Sequence, residues 1–394
     1  MLEIKNKKDC CGCGTCEKVC PQKAIKMGED KSGFLFPNID LDACIDCKIC
    51  ENICPVLNHS NEKDKEHKVF AAYSKDSQTR FEGSSGGMFG MLAKSVIAQN
   101  GKVYGAAFDK NLKLKCTSAE TEQELTPLYK SKYLQSDLGN SCYEIEMELK
   151  KGRKVLFVST PCQVYALKRF LKKDYENLIL VDFVCHGVPS QAFFDKCKNF
   201  VENKEKIKIL DFQFRTKKKN GATPHYYTIT YDKSGKICKK TQLYVKSPFY
   251  YGFQKYITLR DSCYDCQFSH SNRCSDITIG DFHSIDKYVK GINRFDGVST
   301  VVINTEKGKN VWETISENVI YYEIDFETLY NNGGLMCGGT QKPKDRDAFV
   351  VDLEERPFEQ VFSKHLDGSR EYTKQLYYAM PTVVRKILKN LMGM

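Results

Sequence analysis

The sequence predicts an α+β protein: a small cysteine-bound module at the N-terminus, then a mixed α/β domain with a largely parallel sheet. Three observations predict it. Two cysteine runs of one spacing occupy residues 9–21 (DCCGCGTCEKVCP) and 44–55 (CIDCKICENICP). Two buried-strand patterns, KVLFVST (154–160) and NLILVDFVC (177–185), each lead through a short turn into a helical pattern. Such strand–helix alternation implies parallel strands with right-handed crossovers. At 394 residues and 41% hydrophobic content the chain can build two or three cores.

Aligned on their prolines, the runs read Cys10-x2-Cys13-x2-Cys16-x3-Cys20-Pro and Cys44-x2-Cys47-x2-Cys50-x3-Cys54-Pro. Both have the bacterial ferredoxin spacing, in which the fourth cysteine of each run serves the other cluster. Cys10, Cys13, Cys16 and Cys54 are therefore expected to hold one 4Fe–4S cluster. Cys44, Cys47, Cys50 and Cys20 are expected to hold a second. Cys11 is surplus in this register. Gly12 and Gly14 let the backbone approach the inorganic sulfurs. A pair of zinc knuckles is the alternative, but zinc sites favour two ligand pairs across a longer loop. Residues 1–57 are thus a ferredoxin-type dicluster module, with strand-like character in GFLFPNIDLD.

The 19 cysteines fit a reducing compartment better than a disulfide framework. The charged N-terminus has no secretory h-region, and no apolar run is long enough to span a membrane, so a cytoplasmic location is expected. Net charge is +10, distributed unevenly: residues 1–60 hold eight Lys against nine Asp plus Glu, the remainder 52 bases against 41 acids. No nucleic-acid motif accompanies the basic body, which reads as a lysine-rich solvated surface.

Residues 58–68 are polar and charged and read as a linker. In 69–150, EGSSGGMFGMLAKSVIAQNGKVYGAAF (82–108) is a glycine-rich turn, a helix stopped by Asn100-Gly101, and a strand. The turn is either an ordinary helix start or an anion site for a cofactor phosphate. In 151–310 the two strand–turn–helix units place Cys162 and Cys185 just past strand carboxyl ends, where open α/β sheets seat ligands. A hairpin follows over 226–244 with its turn at Asp232–Gly235, then Cys263-x2-Cys266, Cys274 and a strand ending at Gly280-Asp281. Spacing alone leaves Cys162, Cys185, Cys263 and Cys266 open as a third cluster site, a redox dithiol, a zinc half-site or core residues. Residues 311–394 form a C-terminal extension. Past Pro381 its pattern puts Val384, Ile387, Leu388 and Leu391 on one face and Arg385, Lys386 and Lys389 on another. That face suits docking on protein, or peripheral membrane contact.

SSGGMF (84–89), KSKYLQS (130–136), VLFVSTPCQVYALKRFL (155–171), LVDFVCHGVPS (180–190) and CYDCQF…SDITIGDF (263–282) together resemble the coenzyme F420 hydrogenase/dehydrogenase beta-subunit family. The resemblance implies bound FAD near a third 4Fe–4S cluster. It makes Cys162, Cys185, Cys263 and Cys266 the ligands, with Cys274 able to displace Cys162 or Cys185. Ser85, Gly86, Gly87, Lys132, Tyr133, Gln135, Ser136, Thr160 and Gln163 become the flavin contacts. Ser159 stands where Gly often precedes TPCQ, and His283 where relatives commonly carry Trp. His186, Asp281 and His283 are candidate proton donors, against structural roles in loops or caps. The implied function is an oxidoreductase relaying electrons between the clusters and an FAD that exchanges hydride with a small-molecule substrate, coenzyme F420 or a cell-surface polysaccharide precursor. A redox partner protein or ferredoxin-like donor would feed it. The alternative is a non-catalytic electron-transfer subunit of a larger complex.

Overall fold

The computed structural model describes residues 7–59, 67–218, 225–282, 285, 288–290, 292, 296–327, 336, 338–380, 384 and 387. The dicluster module pairs β1 (Ile25–Glu29) with β2 (Leu35–Ile39) antiparallel, flanked by the short helices α1 (Thr15–Val19) and α2 (Ile49–Ile53). Each helix follows one cysteine loop. The loops repeat in backbone as well as in spacing: Gly12 and Gly14 take positive φ (66° and 76°), and so do their counterparts Asp46 and Lys48 (49° and 58°). A left-handed backbone at these positions curls each loop around its sulfurs; the second copy adopts it with side chains present.

An eight-stranded sheet forms the body. Its strands in chain order are β3 (Lys68–Ser74), β4 (Lys102–Phe108), β5 (Leu114–Ala119), β6 (Val155–Ser159), β7 (Leu178–Phe183), β11 (Ile277–Asp281), β12 (Ser299–Ile303) and β13 (Val319–Ile324). The spatial order is β13-β3-β12-β11-β7-β6-β4-β5. The central strands β11, β7, β6 and β4 are mutually parallel, and the flanking strands are antiparallel. The parallel sheet expected from sequence is thus its centre, where β6 is buried along its whole length.

Side chains of β6 alternate between two cores, as period-2 geometry requires. Leu156 and Val158 pack with α4 (Met88–Ile97) and α9 (Glu306–Ser316) through Met88, Leu92, Val96 and Trp312. Val155 and Phe157 pack with α5 (Ser141–Lys150) and α6 (Pro161–Leu171) through Ile145, Leu149, Val164 and Leu167. Helices on both faces leave the carboxyl ends of the central strands as the open rim.

The expected hairpin is β9 (Tyr226–Lys233) with β10 (Lys236–Leu243), its turn closed by Gly235 N–H donating to Asp232 Oδ1 at 2.7 Å. A third strand, β8 (Lys208–Gln213), extends it. This sheet packs an aromatic-rich core with α7 (Gln191–Glu205) and α8 (Pro248–Gln254) around Phe194, Phe214, Phe249 and Tyr250. The linker lies largely outside the described residues. So does the amphipathic segment past Pro381, save Val384 and Ile387, both exposed. No described helix is long and apolar enough to cross a membrane.

Candidate metal centres and cavity

Cys20, Cys44, Cys47 and Cys50 ring one small hollow in the dicluster module, closed by Ile25, Ile39 and Ile45. Cys47 is exposed, so this outer set faces the surface. Cys10, Cys13, Cys16 and Cys54 ring a second, inner hollow with Thr15 and Met27, and the surplus Cys11 borders it as well. The fourth cysteine of each run therefore crosses to the other set, because α1 and α2 pack together and carry Cys20 and Cys54 past each other. Among the described residues no three His, Cys, Asp or Glu side chains converge on a point that would hold one ion. Sulfurs ringing a hollow suit a cubane.

Thiol chemistry agrees. Burial pushes Cys10 up to about 11, with repulsion from Cys13 and Cys54 adding to it while Arg260 pulls it down. Burial likewise raises Cys16, Cys54 and Cys50. Thiolates gathered in such a place need cationic charge among them, which a cluster brings. Backbone N–H groups already point at sulfur: Gly12 at Cys10 Sγ (3.4 Å) and Ala24 at Cys20 Sγ (3.3 Å).

A third set assembles at the sheet's rim. Cys162 sits in the first turn of α6 with its Sγ 3.3 Å from the Thr160 hydroxyl. Cys185 follows β7 and receives the Gly187 N–H at 3.4 Å. Cys263 and Cys266 come from the loop before β11. The four are mutual neighbours: beyond burial, Cys185 is raised by Cys263, Cys162 and Cys266. A Cβ on Gly187 would fall 2.8 Å from Cys263 Cβ, so only glycine lets the Cys185 loop close over the CxxC loop. Cys274 stands apart, packed on the α5–α6 core beside Asp182, Lys168 and Arg273. Arg273 is almost wholly buried beside Cys266. Its Nη1 lies 3.4 Å from Asp182, while Nε and Nη2 have no hydrogen-bond partner among the described residues. Orphaned buried donors next to a cysteine set fit an acceptor such as cluster sulfide.

Between inner and third sets lies Cys11. Its buried thiol neighbours Cys13 and Cys162; hydrogen bonding among the three raises Cys11, lowers Cys13 to about 6 and lowers Cys162.

Beside the third set opens a cavity of about 430 Å³. All four parallel strands build its wall: Gly105 from β4, Val158 and Ser159 from β6, Phe183 from β7, Gly280 and Asp281 from β11. Cys185, His186 and Gly187 form part of the same wall. Its cations outnumber its acids. Burial brings the Lys132 ammonium down to about 7, and burial with Arg215 and Arg80 nearby brings Lys217 to about 7. Lys132 Nζ donates to the Pro127 and Tyr129 carbonyls at 2.7 Å, and Lys217 Nζ to the Arg80 and Ser85 carbonyls at 2.5 Å.

Of the expected flavin contacts, Ser85, Lys132, Tyr133, Ser136 and Thr160 line the cavity. Gly86 and Gly87 shape it from behind. Their N–H groups are taken, Gly86 by Ser299 Oγ (2.9 Å) and Gly87 by the Ser84 carbonyl (3.0 Å), so these two amides have nothing to offer a phosphate. Ser85 also spends its hydroxyl, on the Val298 carbonyl. Gln163 is fully buried beneath the wall; its Oε1 accepts from Ser136, Ser159 and Thr160, and its Nε2 donates to the Ser136 carbonyl. It orients hydroxyls that face the cavity. Gln135 points elsewhere, with Nε2 on the Cys11 and Gly12 carbonyls.

Of the expected proton donors, His186 is exposed on the wall with its ring 5.9 Å from Tyr256. Asp281 corrects the expectation: both its oxygens accept from Arg215, at 2.5 and 2.8 Å, and a carboxylate so paired is an acceptor. His283 lies outside the described residues. Arg215, Lys217, Arg260 and Arg273 were missed from sequence, where nothing marks them among 60 basic residues.

A family profile described as the C terminus of the coenzyme F420 hydrogenase/dehydrogenase beta subunit matches residues 152–328, and a 4Fe–4S dicluster domain profile matches residues 9–58. Residues 152–328 are thus similar to the C-terminal domain of the coenzyme F420 hydrogenase/dehydrogenase beta subunit. This beta-subunit domain contains the whole third cysteine set and the β6, β7 and β11 walls of the cavity. A coenzyme F420-dependent sulfite reductase of Methanocaldococcus jannaschii is 24% identical over 338 residues, which are 82% of this chain and 49% of that protein. The chain thus spans about half the length of the curated relative it matches. A chain of the F420-reducing [NiFe] hydrogenase complex of Methanosarcina barkeri aligns at 16% identity and a TM-score of 0.42, covering 77% of this chain and 91% of that one. The chain is an iron–sulfur redox protein built from a dicluster domain and this beta-subunit domain.

Proposed function

We propose that the chain is an iron–sulfur flavoprotein oxidoreductase in which the outer, inner and third cysteine sets each hold a 4Fe–4S cluster and the cavity holds FAD. When bound, the clusters supply one-electron transfer, and the flavin converts it to hydride exchange with a small-molecule substrate. One observation carries this reading: Cys185 belongs to the third set and to the cavity wall at once.

The chain's own residues have separable tasks. Lys130, Lys132 and Arg215 line the cavity and make it electropositive, with Lys217 behind the Ser85 carbonyl, and suit a pyrophosphate or other anion. Met88, Phe89, Val158 and Phe253 give it an apolar face that keeps water from a ring system. Gln163 fixes the Ser136, Ser159 and Thr160 hydroxyls as polar contacts. His186, exposed at the mouth, is placed to exchange a proton with solvent. The exposed Cys47 edge of the outer set is where a redox partner protein would approach. Coenzyme F420, named in the family and in the sulfite reductase, is the first substrate to test, and a cell-surface polysaccharide precursor the second. A reducing cytoplasm suits the free thiols.

Anaerobic purification tests this. About twelve irons and one FAD per chain are expected, from three four-iron clusters and one flavin. Reduction or oxidation of coenzyme F420 by the isolated chain would establish hydride exchange. Full cofactor loading with electron transfer but no small-molecule turnover would make the chain an electron-transfer subunit. Eight irons without flavin would overturn the reading.

A further inference from the structure

Arg260 is among the largest fully buried side chains of the molecule, at 2% exposure, and it lies between the dicluster module and the sheet domain. It holds backbone carbonyls of the module: Nη1 donates to Cys10 O at 3.2 Å and Nη2 to Leu35 O at 3.0 Å. Nε donates to Gln135 Oε1 at 3.1 Å, and Gln135 Nε2 donates onward to Cys11 O at 2.6 Å. Its own backbone N–H is fixed to Val188 O at 2.9 Å, the residue next to Gly187, which packs against Cys263. The Phe34 and Phe36 rings lie 4.9 Å from the guanidinium carbon. Gly12 is shaped to it: a Cβ there would fall 2.4 Å from Nη2.

Among the described residues no carboxylate forms an ion pair with Arg260. A buried, always-charged guanidinium without a counter-anion is costly. It touches cysteine loops of two different sets: its guanidinium donates to Cys10 O of the inner set at 3.2 Å, and its own carbonyl accepts the Cys263 N–H of the third set at 2.9 Å. None of its contacts involves the outer set.

We propose that Arg260 is a positioning residue and the shared counter-charge of the inner and third cluster sites. It fastens the Cys10–Gly12 loop against the third set. Its fixed charge also raises the reduction potentials of those two clusters relative to the outer one. The physical basis is that reduction adds a negative charge, which a nearby buried cation stabilises. The inference rests on the ligand sets proposed above. It adds a direction: the potential gradient favours electron flow inward from the outer site.

The outer cluster serves as internal control. The test is an EPR-monitored redox titration of the anaerobically reconstituted full chain, wild type against Arg260→Gln and Arg260→Lys. In Arg260→Gln, two cluster potentials should fall by about 59 mV each, tenfold in a one-electron equilibrium, while the third signal stays in place. Arg260→Lys, which keeps the charge, should restore most of the shift. Equal shifts of all three, no shift, or a lysine variant as low as the glutamine variant would overturn the proposal. Should Arg260→Gln fail to fold, Arg260→Lys decides alone: potentials near wild type support it, and a tenfold fall despite the retained charge sinks it. Iron content separates this from the reading beneath it. Fewer than twelve irons in wild type removes the third cluster itself, whereas a full complement with unmoved potentials removes only the role of Arg260.

Discussion

Arg215 and Asp281 form a two-pronged ion pair in the cavity wall, Nη1 to Oδ2 at 2.5 Å and Nη2 to Oδ1 at 2.8 Å. It joins the segment after β8 to the carboxyl end of β11, so a single pair fixes the distance between the aromatic core and the main sheet. Arg215→Leu would leave a carboxylate facing an apolar neighbour. Breaking a fully buried pair costs about 3–5 kcal/mol. With Asp281 a quarter exposed, a loss of about 2 kcal/mol is expected, read from denaturant unfolding. The double variant Arg215→Leu/Asp281→Leu should recover most of it, and additive losses would show that the pair is not coupled.

Iron stoichiometry should follow the three cysteine sets. Cys162→Ala and Cys185→Ala should each lose about four irons and leave the dicluster pair intact, and Cys274→Ala, packed in the α5–α6 core, should lose none. Iron loss from the Cys274 variant would redraw the third set.

Cys11→Ala tests the register. Its thiol lies beside Cys13 and Cys162 and borders the inner hollow, but the ferredoxin spacing makes it surplus, so the variant should keep its full iron content. What should change is the potential of a cluster it touches, because its single S–H can donate to the Cys13 or the Cys162 sulfur and alanine removes that donor. Iron loss in this variant would mean that Cys11, not Cys10 or Cys13, is a ligand.

Anion binding in the cavity should weaken as pH rises through about 7. Lys132 and Lys217 both have ammonium groups brought to about 7 by burial, so they are charged below that pH and neutral above it. A bound anion prefers the charged forms, which places the loss between about pH 6 and 8. Titration of the apo-flavin chain with FAD should show affinity falling by about tenfold across that window, about 1.4 kcal/mol. Lys132→Met should bind more weakly at pH 6 and lose part of the pH dependence. The same shift has a stability sign. In the absence of ligand the unfolded lysines bind more protons than the folded ones from about 7 up to their ordinary value near 10.5, so stability rises with pH across that range.

Much of this was legible in sequence because it depends on local order. The strand at 102–108, the buried strands after 154 and 177 and the hairpin turn at Asp232–Gly235 follow from period and turn chemistry. β5 and β8 were not read, since LKCTSA and KILDFQ have no clean alternation and gain their strand character from neighbours already in the sheet. The residues that join the modules were opaque for a different reason. Arg260 bonds backbone carbonyls of Cys10 and Leu35, and no side-chain motif announces a carbonyl partner. Gln135 was expected at a flavin and instead completes that junction, and Asp281 was expected to give up a proton and instead holds Arg215.

The glycine-rich turn at 84–87 supplies a last test, because its glycines serve packing more than ligand binding. A Cβ on Gly86 would sit 2.2 Å from the Ala72 carbonyl oxygen and 2.9 Å from the Ser299 nitrogen, backbone atoms of β3 and β12 held by their own ladder. Neither can yield without opening the sheet. Gly86→Ala should therefore cost about 1–3 kcal/mol, the range for overpacking a fixed site, and lower the melting temperature of the apo chain. Gly105 makes the control. It lies in β4 on the same cavity, its nearest neighbour would be 3.7 Å from an added Cβ, and alanine there should leave stability unchanged or raise it by about 0.5 kcal/mol. If Gly86→Ala instead keeps the stability of wild type and loses only FAD affinity, the turn is a ligand contact after all, and the backbone packing assigned to it is wrong.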